Sequence, residues 1–477
     1  MKVFKRLVAL FTAFLIILTV SGCSSDYMDA YIYFELENKP STLDPQLVST
    51  RDESVIVRSI FDTLLRYDDE GKIICSAAES YDKKGLTYSF KISEDAHWTN
   101  GDKLTAYDFE FGFKRALDPK TAAPAVATLD CVEAARAVSE DELLITLRYD
   151  DPDFFNTLTT PIAMPCNEKF FNSCKGKYGL ELDSVLACGS YYIRKWPTEG
   201  NFLIRLAKNL EYKGYFEARS MRVYFTCDER ENGEMLAEND TDLAFIGVDE
   251  VTKAEENGLV LSATEDTCYL LFLSPALNTD IRSALFKSVK FDKTIADRFT
   301  GASVAKAIAP ACLKNDLEAF AAEYPYDIAS ATGLYSNAVL DDENLSLKGN
   351  ILKCYGDPAA LETAKSVVSH WQQNLGAFMN IEETSSLSSL RATYEADSYT
   401  AIIMPVRAEF YHTASYISQF KSNAADITSL QSELGDNALC YPLLCQSRYT
   451  AATEVITNFG SIISGHFPDV ALAIKEE

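Results

Sequence analysis

The sequence predicts an α/β protein divided into several domains. Short apolar strands and amphipathic helices interleave along the chain, the pattern of mixed α/β architecture. Its 477 residues suffice for two to four domains at roughly 100–200 residues each. Apolar residues at 47% and charged residues at 24% are ordinary globular values, which excludes a disordered or collagen-like chain.

Tyr31-Ile32-Tyr33-Phe34 is a short apolar strand, and Pro40 and Pro45 bracket a turn-rich segment. Ile56, Ser59, Ile60, Thr63 and Leu64 fall at helical spacing. Leu86 to Ile92 alternates as a half-buried strand after a Lys84-Gly85 turn. Asn100-Gly101 marks a tight turn, and Thr105 with Asp108 forms a capping-box arrangement for a helix stopped at Asp118-Pro119. Segments 143–147, 202–206, 221–225 and 242–246 are strands, and Cys268 to Leu273 is apolar enough for a central one. Ile281 to Phe299 is helical. Leu361, Ala364, Val368, Trp371 and Leu375 share a helix face ended by Gly376. Ala401 to Met404 is a buried strand stopped by Pro405.

The N-terminus carries an address. Lys2, Lys5 and Arg6 precede an apolar run from Leu7 to Val20, shorter than the ~20 residues a spanning helix needs. Val20-Ser21-Gly22-Cys23 resembles the bacterial lipobox, which implies removal of residues 1–22, lipidation of Cys23 and a short polar tether over 23–30. No later stretch approaches the length of a membrane span. Lys and Arg total 44 against 70 Asp and Glu, a net charge of −26, which argues against nucleic acid or anionic lipid as a partner of the folded surface. With Cys23 lipidated, the other cysteines are odd in number. Cys166, Cys174 and Cys188 lie close enough in sequence to pair, as do Cys440 and Cys445; small buried thiols are the alternative. No CxxC occurs and the four His are scattered, so neither a metal nor another cofactor is expected.

Six segments resemble, in order, the oligopeptide-binding family of solute-binding lipoproteins that serve ATP-driven importers. They are Ser41-Thr42-Leu43-Asp44-Pro45 with the helix ending Phe61-Asp62-Thr63-Leu64-Leu65; Trp98 to Phe109 running into Lys114-Arg115; Gly189-Ser190-Tyr191-Tyr192-Ile193 with Trp196, Asn209 and Tyr212; Asp280 to Leu285; Trp371 to Gly376; and Pro442-Leu443. The resemblance implies a periplasmic-binding-protein type II-like fold, two lobes with an extra domain, closing over a ligand by hinge motion. Domain I would be 27–61, 153–249 and 436–477, domain II 62–152 and domain III 250–435. Trp98 and Asp108, within the strongest motif, carry folding information and not ligand contacts.

Two stretches are implied to line the cleft. One follows the Leu-Asp-Pro turn, with Ser49, Thr50, Arg51 and Asp52 on a loop offering backbone groups to an extended peptide. The other is Pro405 to Tyr411, where Glu409 stands at the family's acid for the peptide α-ammonium, between Arg407 and Tyr411. Val406 replaces the family's aromatic, His412-Thr413 its acid and proline, and the segment between Ile417 and Pro442 is short, leaving ligand class open. Arg391 and Arg407 are candidates for a peptide carboxylate.

The implied function is a monomeric lipid-anchored binder on the outer face of the membrane, handing oligopeptides to an ABC permease. Alternatives are a non-peptide solute (nickel chelate, sugar or signal) or a ligand-free scaffold. An enzyme is disfavoured, since no GxSxG elbow, P-loop or HExxH occurs.

Overall fold

The computed structural model describes residues 31–457 apart from 69, 215–219, 291–295, 314–324, 342–346, 348–349 and 410–411, together with 470 and 473–475. Cys23 and the tether fall outside the described residues. Among the described residues no helix is long and apolar enough to cross a membrane.

Seventeen strands matter here. They are β1 (Tyr31–Glu35), β2 (Leu65–Tyr67), β3 (Ile73–Cys75), β4 (Ala78–Lys84), β5 (Thr87–Ile92), β6 (Val132–Ala137), β7 (Glu142–Leu147), β8 (Tyr191–Lys195), β9 (Leu203–Lys208), β10 (Arg222–Thr226), β11 (Leu243–Ile246), β12 (Val260–Leu273), β13 (Ala302–Val304), β14 (Ile351–Tyr355), β15 (Asn380–Thr384), β16 (Ala401–Arg407) and β17 (Cys440–Ala452). The main sheet runs β15-β14-β16-β12-β17-β11-β1-β10-β9-β8, with β13 also against β17. A separate four-stranded sheet, β4-β5-β7-β6, falls within residues 62–152. Its β5 keeps the expected alternation: Tyr88, Phe90 and Ile92 point inward.

Two large apolar cores flank the main sheet. The first collects Phe34, Ile56, Phe109, Ile145, Tyr191 and Phe225; the second collects Leu271, Leu285, Trp371, Ile403, Tyr416 and Leu444. The strands β12 and β17 join them. They form one antiparallel ribbon from Val260 opposite Ala452 to Phe272 opposite Cys440. β11 pairs with β17 at the first end, and β16 pairs with β12 at the other. The ladder shifts between Glu265 and Thr267, leaving Asp266 as a bulge residue at the passage between the cores. The expected strand 268–273 is thus the second half of a 14-residue strand.

Five helices fix the rest: α1 (Arg51–Ile60), α2 (Ala106–Leu117), α3 (Thr279–Lys287), α4 (Pro358–Leu375) and α5 (Thr413–Ile417). In α2 the Asp108 carboxylate accepts from the Thr105 N–H and hydroxyl at 2.8 and 2.9 Å, so the anticipated cap forms. α4 starts on the Asp357 cap and ends on Gly376 at φ 66°. Trp98 is core, edge-on to Phe61 at 6.5 Å.

The structure corrects several local expectations. Helical spacing through Leu64 is cut at Ile60, because the Cys188 and Gly189 N–H groups donate to the Ile60 carbonyl that Leu64 would need. A Cβ on Gly189 would lie 2.9 Å from the Ile60 carbonyl carbon, so this approach requires glycine. The helix expected over 281–299 breaks at Lys287, as Trp371 Nε1 takes the Leu285 carbonyl and Asn374 that of Ser288, and its stretch 291–295 lies outside the described residues. Pro405 does not stop its strand. β14 pairs only as far as Ile403, so Pro405 sits where β16 has a free edge, and its missing N–H costs no ladder bond there.

All eleven cysteines from Cys75 to Cys445 are free thiols in this structure. Cys440 and Cys445, expected to be close enough to pair, stand opposite Phe272 and Cys268 on β12, four ladder steps or roughly 13 Å apart, too far for a disulfide.

Candidate functional site

The site builds from the end of β16. The Thr267–Arg407 pair closes the β12–β16 ladder, and the Ala408 N–H donates to the Asp266 carbonyl at 2.8 Å. This hands the chain over the bulge and brings Glu409 beside β17. Arg448 on β17 lies between two acids. Its Nε donates to Asp266 Oδ2 at 2.5 Å, and its Nη1 is 3.3 Å from Glu409 Oε2. Arg407 approaches the other Glu409 oxygen at 3.9 Å. Arg391 Nη2 donates to Gln419 Oε1 at 2.5 Å, and Gln419 donates to the Arg407 carbonyl at 2.7 Å. Arg448 thus bridges two carboxylates at the crossing of the ribbon, with Arg407 on the far side of Glu409 and Arg391 linked to Arg407 through Gln419.

Burial orders these charges. Asp266 is fully buried, and desolvation pushes its carboxyl above the usual range although Arg448 pulls the other way. Desolvation likewise lowers the Arg391 pKa. Glu409 keeps 31% of its side chain exposed, so it is the carboxylate a solute can reach. Beneath, Tyr269 hydroxyl bonds Asp357 at 3.0 Å and Gln446 at 3.1 Å.

Beyond Glu409 the chain touches the first core's side. The Thr413 N–H donates to Asp153 Oδ2 at 3.3 Å, and His412 Nε2 lies 3.8 Å from Asp151 Oδ2. Segment 405–413 therefore runs from the ribbon to a contact with the other unit. Asp151, Asp153 and His412 bring potential metal-ligand atoms within 4.8 Å of one another. Yet the Ala414 N–H donates to His412 Nδ1 at 3.1 Å, which puts the neutral ring's proton on Nε2, the nitrogen facing Asp151. In that tautomer the facing nitrogen has no lone pair for a metal.

Burial holds the His412 pKa below its usual value, against the pull of Asp153, Asp151 and Asp130. A depressed folded pKa gives stability that is present above the unfolded value of about 6.5 and lost as pH falls below it. Thermal midpoints should therefore drop more from pH 7 to pH 5 in the wild type than in His412→Asn, which keeps a capping side chain. Superimposable profiles would rule this out.

The other candidate stretch is not a loop. Thr50 caps α1, accepting the Glu53 N–H at 3.2 Å, and Arg51 and Asp52 open the helix. Arg51 is 7% exposed, bonded to Glu37 at 2.9 Å, stacked 4.1 Å over Phe245 and 3.4 Å from the Tyr449 carbonyl. Asp52 is 1% exposed and accepts the Glu37 N–H at 2.9 Å. Arg51 and Asp52 pack beside β17, Arg51 reaching the residue next to Arg448, and only Ser49 and Thr50 of this stretch are exposed. Tyr411 lies outside the described residues. Sequence reasoning missed Asp266 and Arg448. The signal available was an acid two positions before the apolar run 268–273 and an arginine on a buried strand. Cavities of about 560 and 770 Å³ lie elsewhere in the first unit, and none of the described candidate residues lines either.

Two apolar cores bridged by a sheet ribbon, with charge gathered at the crossing, is the build of a solute-binding protein. The chain belongs to the bacterial extracellular solute-binding proteins, family 5: the family model, described as the middle part of that family, matches residues 72–427. It is 24% identical over 394 residues to a dipeptide-binding protein of Lactococcus lactis, covering 74% of this chain and 72% of that protein. To the oligopeptide-binding protein OppA of Bacillus subtilis it is 23% identical, covering 73% and 70%. Among solved structures it is similar to Haemophilus influenzae OppA in complex with RPPGFSPFR, with TM-score 0.74, 17% identity and 94% and 99% of the two chains covered. Listeria monocytogenes CtaP gives TM-score 0.76 at 17% identity, covering 94% and 100%. These likenesses establish the α/β periplasmic-binding-protein type II-like fold.

Proposed function

We propose that this protein captures oligopeptides in the cleft between its two cores and passes them to an ABC permease, without chemistry of its own. Glu409 carries the reading. It is a reachable carboxylate on the segment that runs from the ribbon to the opposite unit, at the family's position for the peptide α-ammonium. Membership of the family and the peptide-binding names of its relatives support it. In this reading domain I is 27–61, 153–249 and 436–477, domain II is 62–152 and domain III is 250–435, and the lobes close by bending at the ribbon. Arg391 or Arg407 would take the peptide carboxylate, and Thr50 a backbone group.

The direct test is mass spectrometry of ligands released from the purified protein, followed by calorimetry with those found. Oligopeptides are expected. Recovery and binding of only a sugar, a metal chelate or another non-peptide solute would refute the peptide assignment.

The body is held outside the cell by a diacylated Cys23, since two acyl chains anchor stably where one does not. Cys23→Ala should release it to the medium or leave an uncleaved precursor. A variant that is processed normally and still partitions into detergent would exclude the anchor.

A further inference from the structure

Cys268 on β12 stands directly opposite Cys445 on β17 in the antiparallel ladder. Opposed residues of such a pair have Cα atoms ~4.5–5.5 Å apart, within the ~4.4–6.8 Å that a disulfide spans. Their sulfur atoms are 2.8 Å apart, within about 1 Å of the ~2.05 Å bond length. Both side chains are buried, at 0% and 3% exposure, so neither thiol has a solvent role to explain its place. The family is extracellular, and disulfides form and persist in such compartments.

We propose that Cys268 and Cys445 form a disulfide that staples the ribbon joining the two cores. The bond forms by two exchanges with a low-molecular-weight disulfide. The Cys445 thiolate attacks one oxidant sulfur and expels the other as a thiolate. The Cys268 thiolate then attacks the Cys445 sulfur of the mixed disulfide and expels the second. Two protein thiols and one oxidant disulfide become one protein disulfide and two oxidant thiols, which carry away both protons. Burial holds the folded Cys268 thiol well above its ordinary pKa, so exchange belongs to the stage before β12 and β17 close; afterwards the bond is shielded from reductant.

The position decides what the staple does. It lies on the second-core side of the Asp266 bulge, with Ser303 of β13 beside Cys445. It fixes the register of that half and leaves bending to the bulge and the half from Val260 to Glu265. The bond closes a long loop, because the two cysteines are 177 positions apart.

The experiment uses the full chain, exported to an oxidising compartment, unfolded and alkylated without reductant, digested and sequenced by tandem mass spectrometry. A cross-linked peptide joining Cys268 to Cys445, and not to Cys440 on the same fragment, is expected. Alkylation of both cysteines, or linkage of Cys445 to the neighbouring Cys312, would overturn the assignment. A second measurement tests the staple. Reduction should raise the unfolding equilibrium constant of the wild type by on the order of a hundredfold and leave the Cys268→Ala/Cys445→Ala variant unchanged. A wild type whose unfolding ignores reductant would refute the stapling role, and the peptide map stands whether or not the variant folds.

Discussion

Arg115→Met should destabilise the first unit by about 3–5 kcal/mol, the cost of stranding one partner of a buried ion pair. Arg115 on α2 reaches Asp44 with two hydrogen bonds, Nη2 to Oδ2 at 2.5 Å and Nη1 to Oδ1 at 3.1 Å. The two side chains are 9% and 3% exposed, so water cannot replace the lost guanidinium. The same group donates to Gln46 Oε1 at 2.5 Å and stacks 4.1 Å over Phe171. Met restores apolar volume but no charge, leaving Asp44 to desolvate alone. Adding Asp44→Asn should return part of the loss, because no charge is then left buried. Denaturant titration followed by tryptophan fluorescence tests this on the four proteins. Additive losses, or a single-variant cost below about 1 kcal/mol, the scale of exposed pairs, would show that the pair is not the anchor of this corner.

Glu409→Ala should weaken peptide binding at least tenfold and leave stability almost unchanged. Truncating one partner of a desolvated charge pair costs about 2–5 kcal/mol, and each decade of affinity is about 1.4 kcal/mol. Some of that is offset, because Glu409 already faces Arg448 at 3.3 Å and an incoming ammonium must share it. The fold should tolerate the change, since Arg448 keeps Asp266 as its buried partner. N-acetylating the peptide should weaken wild type to a similar degree and add little in the variant, because both changes delete one interaction. Calorimetry on the four combinations decides. Two losses that simply add would remove Glu409 as the ammonium anchor, while equal binding throughout would place the peptide elsewhere.

The sequence made local order legible and left long-range pairing hidden. Thr105 with Asp108, Gly376 and the alternation of 87–92 are physical instructions confined to a few residues, and each forms as read. Asp44 reads as a turn residue and Arg115 as the end of a helix motif. Nothing in either position encodes that they meet across 71 residues. The helix expected to reach Leu64 fails for the same reason: the carbonyl it needs is claimed by Cys188 and Gly189 from far along the chain. At the site, resemblance supplied Glu409. Its neighbour Arg448 depends on the β12–β17 register, which a bulge at Asp266 sets and hydropathy alone does not reveal. Arg51 and Asp52 were misplaced because a capped helix start and a polar loop share the same residue types.

The ribbon also sets the order in which the chain can mature. β17 lies between β11 and β12 in the main sheet, yet it begins 194 positions after β11 ends and 167 after β12 ends. Until Cys440–Ala452 is available, the two strands meant to flank it are open edges, and open edges invite pairing with other chains. Contacts of such sequence separation form slowly, since the intervening loop must close before they contribute. A polypeptide threaded outward from its N-terminus therefore cannot finish either half of this sheet early. Both halves are completed together by one late strand, so the pairing that closes the sheet is a step common to both cores.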